Sequence, residues 1–316
     1  MTDQLACLLE QRPIRLGTRQ SPLALAQAHM AANALRQAHG LTAEQVELVT
    51  MVATGDRVQD RALREVGGKA LWTRELDGSL IEGRIDAAVH SLKDVETIRD
   101  PAFVIAAMLE RADPRDMLLG ASSLADIAHG ARLGTSAPRR AAQMLNARPD
   151  MQIVLFRGNV ATRMAKLAAG EADVTLLACA GLDRLGEAPP GVRLDIESWL
   201  PAPSQGAIGI ETLAGNALMR ALLAATDHGP TSACVGAERA FLAALGGDCH
   251  SPVSAHAVLD DGAMLLRAVL YSADGTERIE HAVRIAPGDD GAAAGLARSM
   301  LADAPPAIAA LFGKPV

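Results

Sequence analysis

The chain has 316 residues, of which 49% are hydrophobic, and it carries a formal net charge of −7 at pH 7. A chain of this length and composition is globular and long enough for two or three domains, which excludes an intrinsically disordered protein. The acidic balance and the scarcity of aromatic residues argue against nucleic-acid binding, which needs positive surface charge and rings for base stacking.

The N-terminus and the cysteines indicate in which cellular compartment the protein is found. Residues 1–7 lack the basic and apolar segments of a secretory signal, and no apolar run is long enough to span a bilayer. Cys7, Cys179, Cys234 and Cys249 form no C-x-x-C pair, which disfavours a zinc site or a disulfide scaffold. We therefore expect a cytoplasmic protein with no membrane partner and no bound metal.

The first two-thirds of the chain alternates predicted strands with predicted helices, a pattern typical of parallel sheets with crossover helices. The predicted strands are 14–17, 46–52, 85–91, 103–109, 117–119, 153–156, 174–179 and 207–211. The predicted helices are 22–39, 71–82, 138–147 and 160–169. A proline-containing stretch over 189–203 interrupts the alternation and is a candidate crossing between two lobes.

The pattern changes after a predicted helix over 231–245. Strands over 253–259, 263–271 and 278–285 alternate and are joined by Asp-Gly turns, which predicts an antiparallel meander, closed by a helix near 292–311. The predicted fold class is therefore α/β, with two lobes of mainly parallel sheet and a small C-terminal α+β domain.

A repeated Arg-Leu-Gly-Thr sequence indicates two related anion sites. Residues 15–18 and 132–135 each form a predicted strand and turn that lead into a helix opened by a small polar residue and a proline. Ser21 and Pro22 suit the N-cap and first position of such a helix, whose free N–H groups and dipole attract anions. Arginine near both turns adds a forked donor for carboxylate or phosphate.

Further candidate residues follow the predicted strands. Lys93 and Asp94 are either an exposed pair or a helix cap, or, as strand-end residues, an anion ligand and a group that handles protons or positive charge. Arg157, Arg163 and Arg184 lie at or beyond later strand ends, either as surface charges or as anion ligands.

Two glycine-containing loops add candidates. Lys69 follows two glycines and precedes Trp72; the P-loop spacing is absent, so we expect a mobile loop over a cleft. Cys249 lies in a Gly-Gly-Asp-Cys-His loop and is either a packing thiol or a nucleophile or attachment point. We discount a Cys249–His250 dyad, because adjacent side chains seldom align for proton transfer.

In this order, the motifs resemble the porphobilinogen deaminase family, also called hydroxymethylbilane synthases. The resemblance rests on residues 18–24, 66–69, 90–95, 134–140, 157–163, 180–186 and 205–211 and on the loop of Cys249, and it covers nearly the whole chain. It implies two periplasmic-binding-protein-like lobes and a third domain. Lobe 1 is expected at 1–108 and 205–226, lobe 2 at 109–204, and the third domain at 227–316.

The resemblance also implies a transferase that condenses four porphobilinogen molecules head to tail, with loss of ammonia, onto a dipyrromethane cofactor, and releases hydroxymethylbilane. Asp94 matches the catalytic aspartate, and Cys249 matches the cysteine that holds the cofactor through a thioether. The family likeness makes a monomer the expected state. The residues expected to bind substrate and cofactor carboxylates are Arg19, Ser21, Lys93, Ser136, Arg139, Arg140, Arg157, Arg163 and Arg184, with Lys69 and Trp72 in the cleft loop.

The chain departs from the usual family pattern at several positions. Ala137 and Pro138 stand where serine and leucine are usual, and Glu96 stands where proline is common. Asp248 replaces a usual glycine, and Trp72 a common phenylalanine. The departures put ligand contacts around Ala137 and Asp248 in question.

Two other functions share parts of this pattern. A two-lobed binding protein or sensor for a small dicarboxylate would use the lobes and arginines without needing Asp94 or an attached cofactor. An enzyme of phosphoryl or sulfuryl transfer would use the helix starts, but the nucleotide motif is absent.

Overall fold

The computed structural model describes residues 2–52 and 73–312. The strands are β1 (Ile14–Arg19), β2 (Val46–Met51), β3 (Ala87–Ser91), β4 (Phe103–Met108), β5 (Asp116–Leu119), β6 (Arg132–Thr135), β7 (Gln152–Leu155), β8 (Val174–Ala178), β9 (Gly191–Arg193), β10 (Ile208–Leu213), β11 (Val253–Asp260), β12 (Ala263–Tyr271) and β13 (Arg278–Ile285). The α-helices are α1 (Thr2–Gln11), α2 (Pro22–His39), α3 (Arg74–Ile81), α4 (Pro138–Ala147), α5 (Val160–Ala168), α6 (Cys179–Leu185), α7 (Ala217–Ala224), α8 (Gly229–Ala244), α9 (Asp290–Asp303) and α10 (Pro306–Ala309). Short 3-10 turns lie at Ala43–Gln45 and Leu92–Asp94.

The described residues fall into two compact units. The first contains residues 2–52, 73–112 and 207–232. Its five-stranded sheet has the order β2-β1-β3-β10-β4, in which β1 is parallel to both neighbours and β10 is antiparallel to both of its own. The other four strands therefore run in one direction, as expected for a sheet built with crossover helices.

The second unit contains residues 113–206 and 233–312 and holds two sheets. One has the order β7-β6-β8-β5-β9 and repeats the plan of the first unit, with β6 in the place of β1 and β5 in the place of β10. The other is the antiparallel meander β11-β12-β13, whose core includes side chains from α8 and α9. The predicted α/β class with a C-terminal α+β part is confirmed, and the repeated sequence occupies equivalent strands.

The glycine of each repeat is required by packing within its sheet. A Cβ atom on Gly17 would lie 2.3 Å from Cδ1 of Ile85, and one on Gly134 would lie 2.5 Å from the ring of Phe156. Both distances are shorter than carbon atoms tolerate, so glycine lets the side chains of Ile85 and Phe156 cover β1 and β6 closely.

The arginine that opens each repeat binds a carboxylate of the chain itself. Arg15 donates its backbone N–H to Oδ2 of Asp86 at 2.8 Å, and Arg132 donates its own to Oδ2 of Asp173 at 2.7 Å. The guanidinium groups contact the same carboxylates, with Nη2–Oδ1 distances of 3.3 and 3.0 Å. These two arginines therefore join the amino ends of neighbouring strands, and their guanidinium groups stabilise the sheets.

The bounds of the predicted elements agree closely with the structure, with one clear exception, and α1 and β9 were not predicted. Helices α2 and α4 have the predicted bounds, whereas the predicted continuous helix near 292–311 is wrong. It is divided into α9 and α10, because Pro305 lacks an N–H group and keeps Ala304 extended, at φ −71° and ψ 137°. The stretch 189–203 contains β9, which pairs with β5. The three-domain boundaries stay a prediction.

Candidate functional site

The carboxyl ends of β1 and β3 border a small concavity in the first unit. The two strands are parallel, so Arg19 and Ser91 end at the same edge of the sheet. The 3-10 turn Leu92–Asp94 follows β3 directly. Arg19, Ser91 and Asp94 line the concavity together with Gln27 of α2 and His90. The fold thus brings together two of the predicted site residues, a guanidinium and a carboxylate.

Contacts with β10 and α2 hold the turn that carries Asp94. Leu92 donates its backbone N–H to the carbonyl of Ala207 at 3.1 Å. A Cβ atom on Gly209 would lie 2.4 Å from Cδ2 of Leu92, so glycine at this position lets the leucine pack onto the sheet. Gln27 and Ser91 exchange hydrogen bonds of 2.8 and 3.0 Å beside the turn. The backbone of Asp94 therefore starts from a fixed strand end.

A buried ion network lies behind this turn and was not predicted from the sequence. Glu211 on β10 is completely buried and accepts hydrogen bonds of 2.9 and 2.7 Å from Arg99. Nε2 of His90 lies 3.3 Å from the same carboxylate. Arg99 also binds Asp77 at 2.7 Å and Glu96 at 3.0 Å. The network thus fastens the segment just after Asp94 to the sheet.

The charge of Glu211 depends on these partners. Burial alone would raise the pKa of its carboxyl group, but the neighbouring His90 and the hydrogen bonds and charge of Arg99 outweigh burial and hold the pKa at about 2. Two signals in the sequence were available: a glutamate inside an apolar strand, and the departure at Glu96, which supplies a ligand to Arg99. Nothing in the sequence alone pairs Glu211 with Arg99, which lies 112 residues away.

The remaining predictions in the first unit have different outcomes. Ser21 caps α2, since its Oγ accepts the backbone N–H of Ala24 at 3.4 Å. Lys93 is half-buried within the 3-10 turn. Lys69 and Trp72 lie outside the described residues.

Two predicted arginines of the second unit are bound to an internal carboxylate. Asp116 on β5 is completely buried; Nη1 of Arg139 donates to its Oδ2, and Nη2 of Arg140 donates to its Oδ1 at 2.7 Å. Trp199 and Gln205 add bonds of 3.2 and 3.0 Å. Burial alone would raise the pKa of Asp116, but the two guanidinium charges hold it well below its usual range. In this structure both arginines stabilise the fold of the second unit.

Ser136 and Arg163 are brought into contact by the turn after β7. Nη2 of Arg163 donates to Oγ of Ser136 at 3.4 Å, and its Nε donates to the carbonyl of Gly158 at 3.0 Å. Gly158 has φ 112°, a conformation that favours glycine, and Arg157 beside it is buried. The conformation of the turn, rather than helical spacing, decides where Arg163 points.

Two guanidinium nitrogens of the second unit are buried without a hydrogen-bond partner among the described residues: Nε of Arg139 and Nε of Arg184. Arg184 donates from Nη2 to the carbonyl of Gly206 at 2.7 Å. Burial lowers the pKa of Arg184 to about 10, against an opposing effect of Asp183. Buried N–H groups of this kind are suited to an anionic ligand.

The loop between α8 and β11 presents an exposed thiol. Cys249 is free and exposed, as is Cys7, whereas Cys179 and Cys234 are buried. Its Sγ lies 3.5 Å from Nδ1 of His250. The expectation that adjacent side chains would not align is therefore wrong for this loop, because its turn directs both side chains to one side.

Residues 2–52 and 73–312 contain neither a metal-binding cluster nor a membrane-spanning helix. In these segments no group of three His, Cys, Asp or Glu side chains is arranged to hold a metal ion. The same segments contain no helix with the length and apolar character that a bilayer crossing requires.

Family models match almost the whole chain. The model described as "Porphobilinogen deaminase, dipyromethane cofactor binding domain" matches residues 14–221, and "Porphobilinogen deaminase, C-terminal domain" matches residues 232–300. The two matches meet near the start of α8, where the described chain enters its C-terminal part.

Curated relatives cover nearly the full length. A porphobilinogen deaminase of Sphingopyxis alaskensis is 60% identical over 306 residues, which are 95% of this chain and 96% of the relative. One of Xanthomonas axonopodis pv. citri is 48% identical over 287 residues, with 89% and 93% coverage. Among solved structures, the VFT2 domain of Bordetella pertussis BvgS matches 71% of this chain and 90% of its own, at 14% identity and a TM-score of 0.42.

Proposed function

The chain belongs to the porphobilinogen deaminase family, and we propose that Asp94 and Cys249 are the residues on which its reaction depends. The enzyme is a transferase: it condenses four porphobilinogen molecules head to tail, with loss of ammonia, onto dipyrromethane and releases hydroxymethylbilane. The observation that carries the assignment of Asp94 is its place in one concavity with Arg19. A carboxylate and a guanidinium there face the same small space.

Asp94 suits the proton transfers of this reaction. Loss of ammonia from porphobilinogen requires a proton on the departing nitrogen and leaves positive charge on the pyrrole ring. The Asp94 carboxyl group would supply that proton, its carboxylate would stabilise the cation, and it would then accept the proton released from the attacked ring carbon. The network of Arg99 and Glu211 would support this role by holding the segment that follows Asp94.

The cationic side chains suit the substrate, whose pyrrole ring carries an acetate and a propionate group. We propose that Arg19 and Lys93 bind carboxylates in the first unit. In the second unit Ser136, Arg157, Arg163 and Arg184 would do so, and each charge-assisted hydrogen bond contributes about 1.5–3 kcal/mol. Arg139 and Arg140 complete the proposed set of ligands. Some of their N–H groups already donate to Asp116. The buried Nε of Arg139 has no hydrogen-bond partner among the described residues and is the donor we assign to a ligand carboxylate.

The residues of the second unit also fit dipyrromethane as a resident cofactor. Thioether attachment needs a free, accessible thiol, which Cys249 provides, and a polycarboxylate needs unpaired cationic donors, which Arg139 and Arg184 provide. When bound, dipyrromethane supplies the nucleophilic pyrrole carbon at which the chain is extended.

The proposal extends to the organisation of the protein. We propose three domains at 1–108 with 205–226, 109–204 and 227–316, and a cleft loop that includes Lys69 and Trp72. We also propose a monomer in the cytosol. The free state of all four cysteines supports that compartment. Light scattering of the purified chain would test the monomer.

Replacing Asp94 with asparagine tests the catalytic assignment, because this change preserves shape and removes the charge. We expect porphobilinogen consumption to fall at least about a hundredfold, the usual contribution of a general acid–base group. Asp303→Asn, the same substitution at an exposed position, is the matched control and should leave the rate unchanged. Near-normal turnover of Asp94→Asn would overturn the assignment.

Intact-mass measurement separates this function from a dicarboxylate-binding protein. The purified chain is expected to carry the added mass of two pyrrole units, and Cys249→Ser should lose it. An unmodified chain that binds dicarboxylates but consumes no porphobilinogen would favour the binding protein instead.

A further inference from the structure

The turn between α8 and β11 is built around the polar residues Asp248, His250 and Ser251. The backbone N–H of Asp248 donates to Oγ of Ser251 at 3.1 Å, and the N–H of Ser251 donates to the carbonyl of Asp248 at 3.1 Å. Oδ1 of Asp248 accepts the backbone N–H of His250 at 2.8 Å. The carboxylate of Asp248 is therefore fixed by the turn, although most of the side chain faces solvent.

The imidazole of His250 lies between this carboxylate and the sulfur of Cys249. Its Nδ1 is 3.5 Å from Oδ1 of Asp248 and 3.5 Å from Sγ of Cys249. Its Nε2 is buried and has no hydrogen-bond partner among the described residues. A proton on Nδ1 therefore has two acceptors, one of them the thiol sulfur.

His250 is positively charged at neutral pH in this arrangement. The hydrogen bond with Asp248 is the largest cause and that with Cys249 the second; against the opposing effect of burial, they raise the pKa of the imidazole to about 10. The titratable groups that act most strongly on the ring are these two, both from the same loop.

We propose that His250, oriented by Asp248, stabilises negative charge on the sulfur of Cys249 while the cofactor becomes attached. This inference rests on the proposed attachment at Cys249. It assigns a function to Asp248, which stands where the family usually has glycine, and to the contact that sequence reasoning discounted. Asp248 is a positioning residue, and His250 touches the reacting sulfur.

The attachment step balances without an oxidant or reductant. The sulfur of Cys249 forms a bond to the aminomethyl carbon of porphobilinogen as the carbon–nitrogen bond breaks, and the nitrogen leaves with the bonding electron pair. The thiol proton ends on that nitrogen, so ammonia is released. Sulfur gains negative charge as its proton departs and loses it as the S–C bond forms, and the imidazolium proton lies beside it throughout.

Thiol alkylation tests the inference separately from catalysis. Full-length protein would be produced in cells that make no porphobilinogen, so that Cys249 remains a thiol. Its rate of reaction with iodoacetamide would be compared, by peptide mass, with that of Cys7, the other exposed thiol of the same molecule. We expect Cys249 to react at least about tenfold faster at pH 7, which corresponds to about 1.4 kcal/mol.

Three variants distinguish charge from loop structure. His250→Gln should bring the ratio of rates close to one, and Asp248→Asn should lower it by a smaller factor. His250→Arg, a permanent cation, should keep a high ratio at pH 7. The Cys7 rate and the thermal midpoint serve as controls for folding. A ratio that His250→Gln leaves unchanged would overturn the inference.

Attachment itself gives the second readout. On addition of porphobilinogen, the unmodified chain should gain the mass of two pyrrole units, and His250→Gln should gain it about tenfold more slowly. Equal rates of mass gain would reject the role of His250 while leaving attachment at Cys249 intact. No mass gain in the unsubstituted chain would instead reject the attachment proposal.

Discussion

The two five-stranded sheets each contain one strand, β10 or β5, that is antiparallel to both neighbours, and each of these strands carries a completely buried carboxylate. Asp116 is neutralised by two arginines of α4, whereas Glu211 is neutralised by Arg99 and lies beside His90. The second unit therefore uses arginines that the sequence marks as ligand candidates. The first unit uses an arginine from outside that set. Strands at equivalent places in the two sheets thus pair their buried carboxylates with different kinds of arginine: candidate ligands in the second unit and Arg99, which is not a candidate, in the first.

The largest expected effect comes from removing the carboxylate that is bound by two permanent cations. Asp116→Asn leaves two buried guanidinium groups without their counter-ion and should lower the free energy of unfolding by about 4 kcal/mol. Chemical denaturation followed by tryptophan fluorescence is a direct measurement, because Trp199 contacts Asp116. Asp303→Asn is the control. A loss below about 1 kcal/mol for Asp116→Asn would show that water or a rearrangement of the site compensates for the lost ion pairs with Arg139 and Arg140.

Protonation of Glu211, the buried carboxylate of the first unit, should lower the free energy of unfolding in acid. The pKa of Glu211 is about 2 in the folded chain, below its ordinary value of 4.5, so its stabilisation is complete above pH 4.5 and is lost as the pH falls toward 2. The corresponding loss is about 3 kcal/mol. Unfolding free energies measured between pH 2.5 and 6 should therefore decline more steeply for the unsubstituted chain than for Glu211→Gln. Parallel curves would contradict the assigned pKa.

The smallest expected effect is a difference in stability between the two arginine–aspartate ion pairs of the repeated sequence, Arg15–Asp86 and Arg132–Asp173. Asp86 has 8% of its side chain exposed and binds both Arg12 and Arg15, whereas the side chain of Asp173 is 47% exposed and binds Arg132. Asp86→Asn should cost about 2 kcal/mol and Asp173→Asn much less, because water screens the exposed pair. Thermal midpoints at low and high salt would check this order. Equal shifts of the thermal midpoint would mean that burial does not change the contribution of these ion pairs to stability.

Most of the fold and several site residues were predictable from local sequence. Ser21 before Pro22 predicts the start of α2, and alternating apolar residues around Asp-Gly turns predict the meander of β11 to β13. The family motifs identify Asp94 and Cys249 as candidates for catalysis and attachment. These signals are local, because caps, turns and periodicity depend on residues only a few positions apart.

The partners of buried charges were not predictable in this way. Glu211 reaches Arg99 only because β10 returns from a distant part of the chain to pair with β3 and β4, whereas Glu96 lies three residues from Arg99. Asp116 meets Arg139 for the same kind of reason, through sheet pairing rather than spacing. Ion pairs between residues this far apart leave no periodic trace in the sequence.

The sequence by itself therefore determined the α/β class, the repeated strand–turn–helix element, the family and the candidate residues, because each depends on local propensity or on motifs read in order. The tertiary structure decided which arginines are bound to internal carboxylates, which side chains share the concavity with Asp94, and how the ring of His250 meets the sulfur of Cys249. Burial and long-range strand pairing set these outcomes, and both are properties of the folded chain.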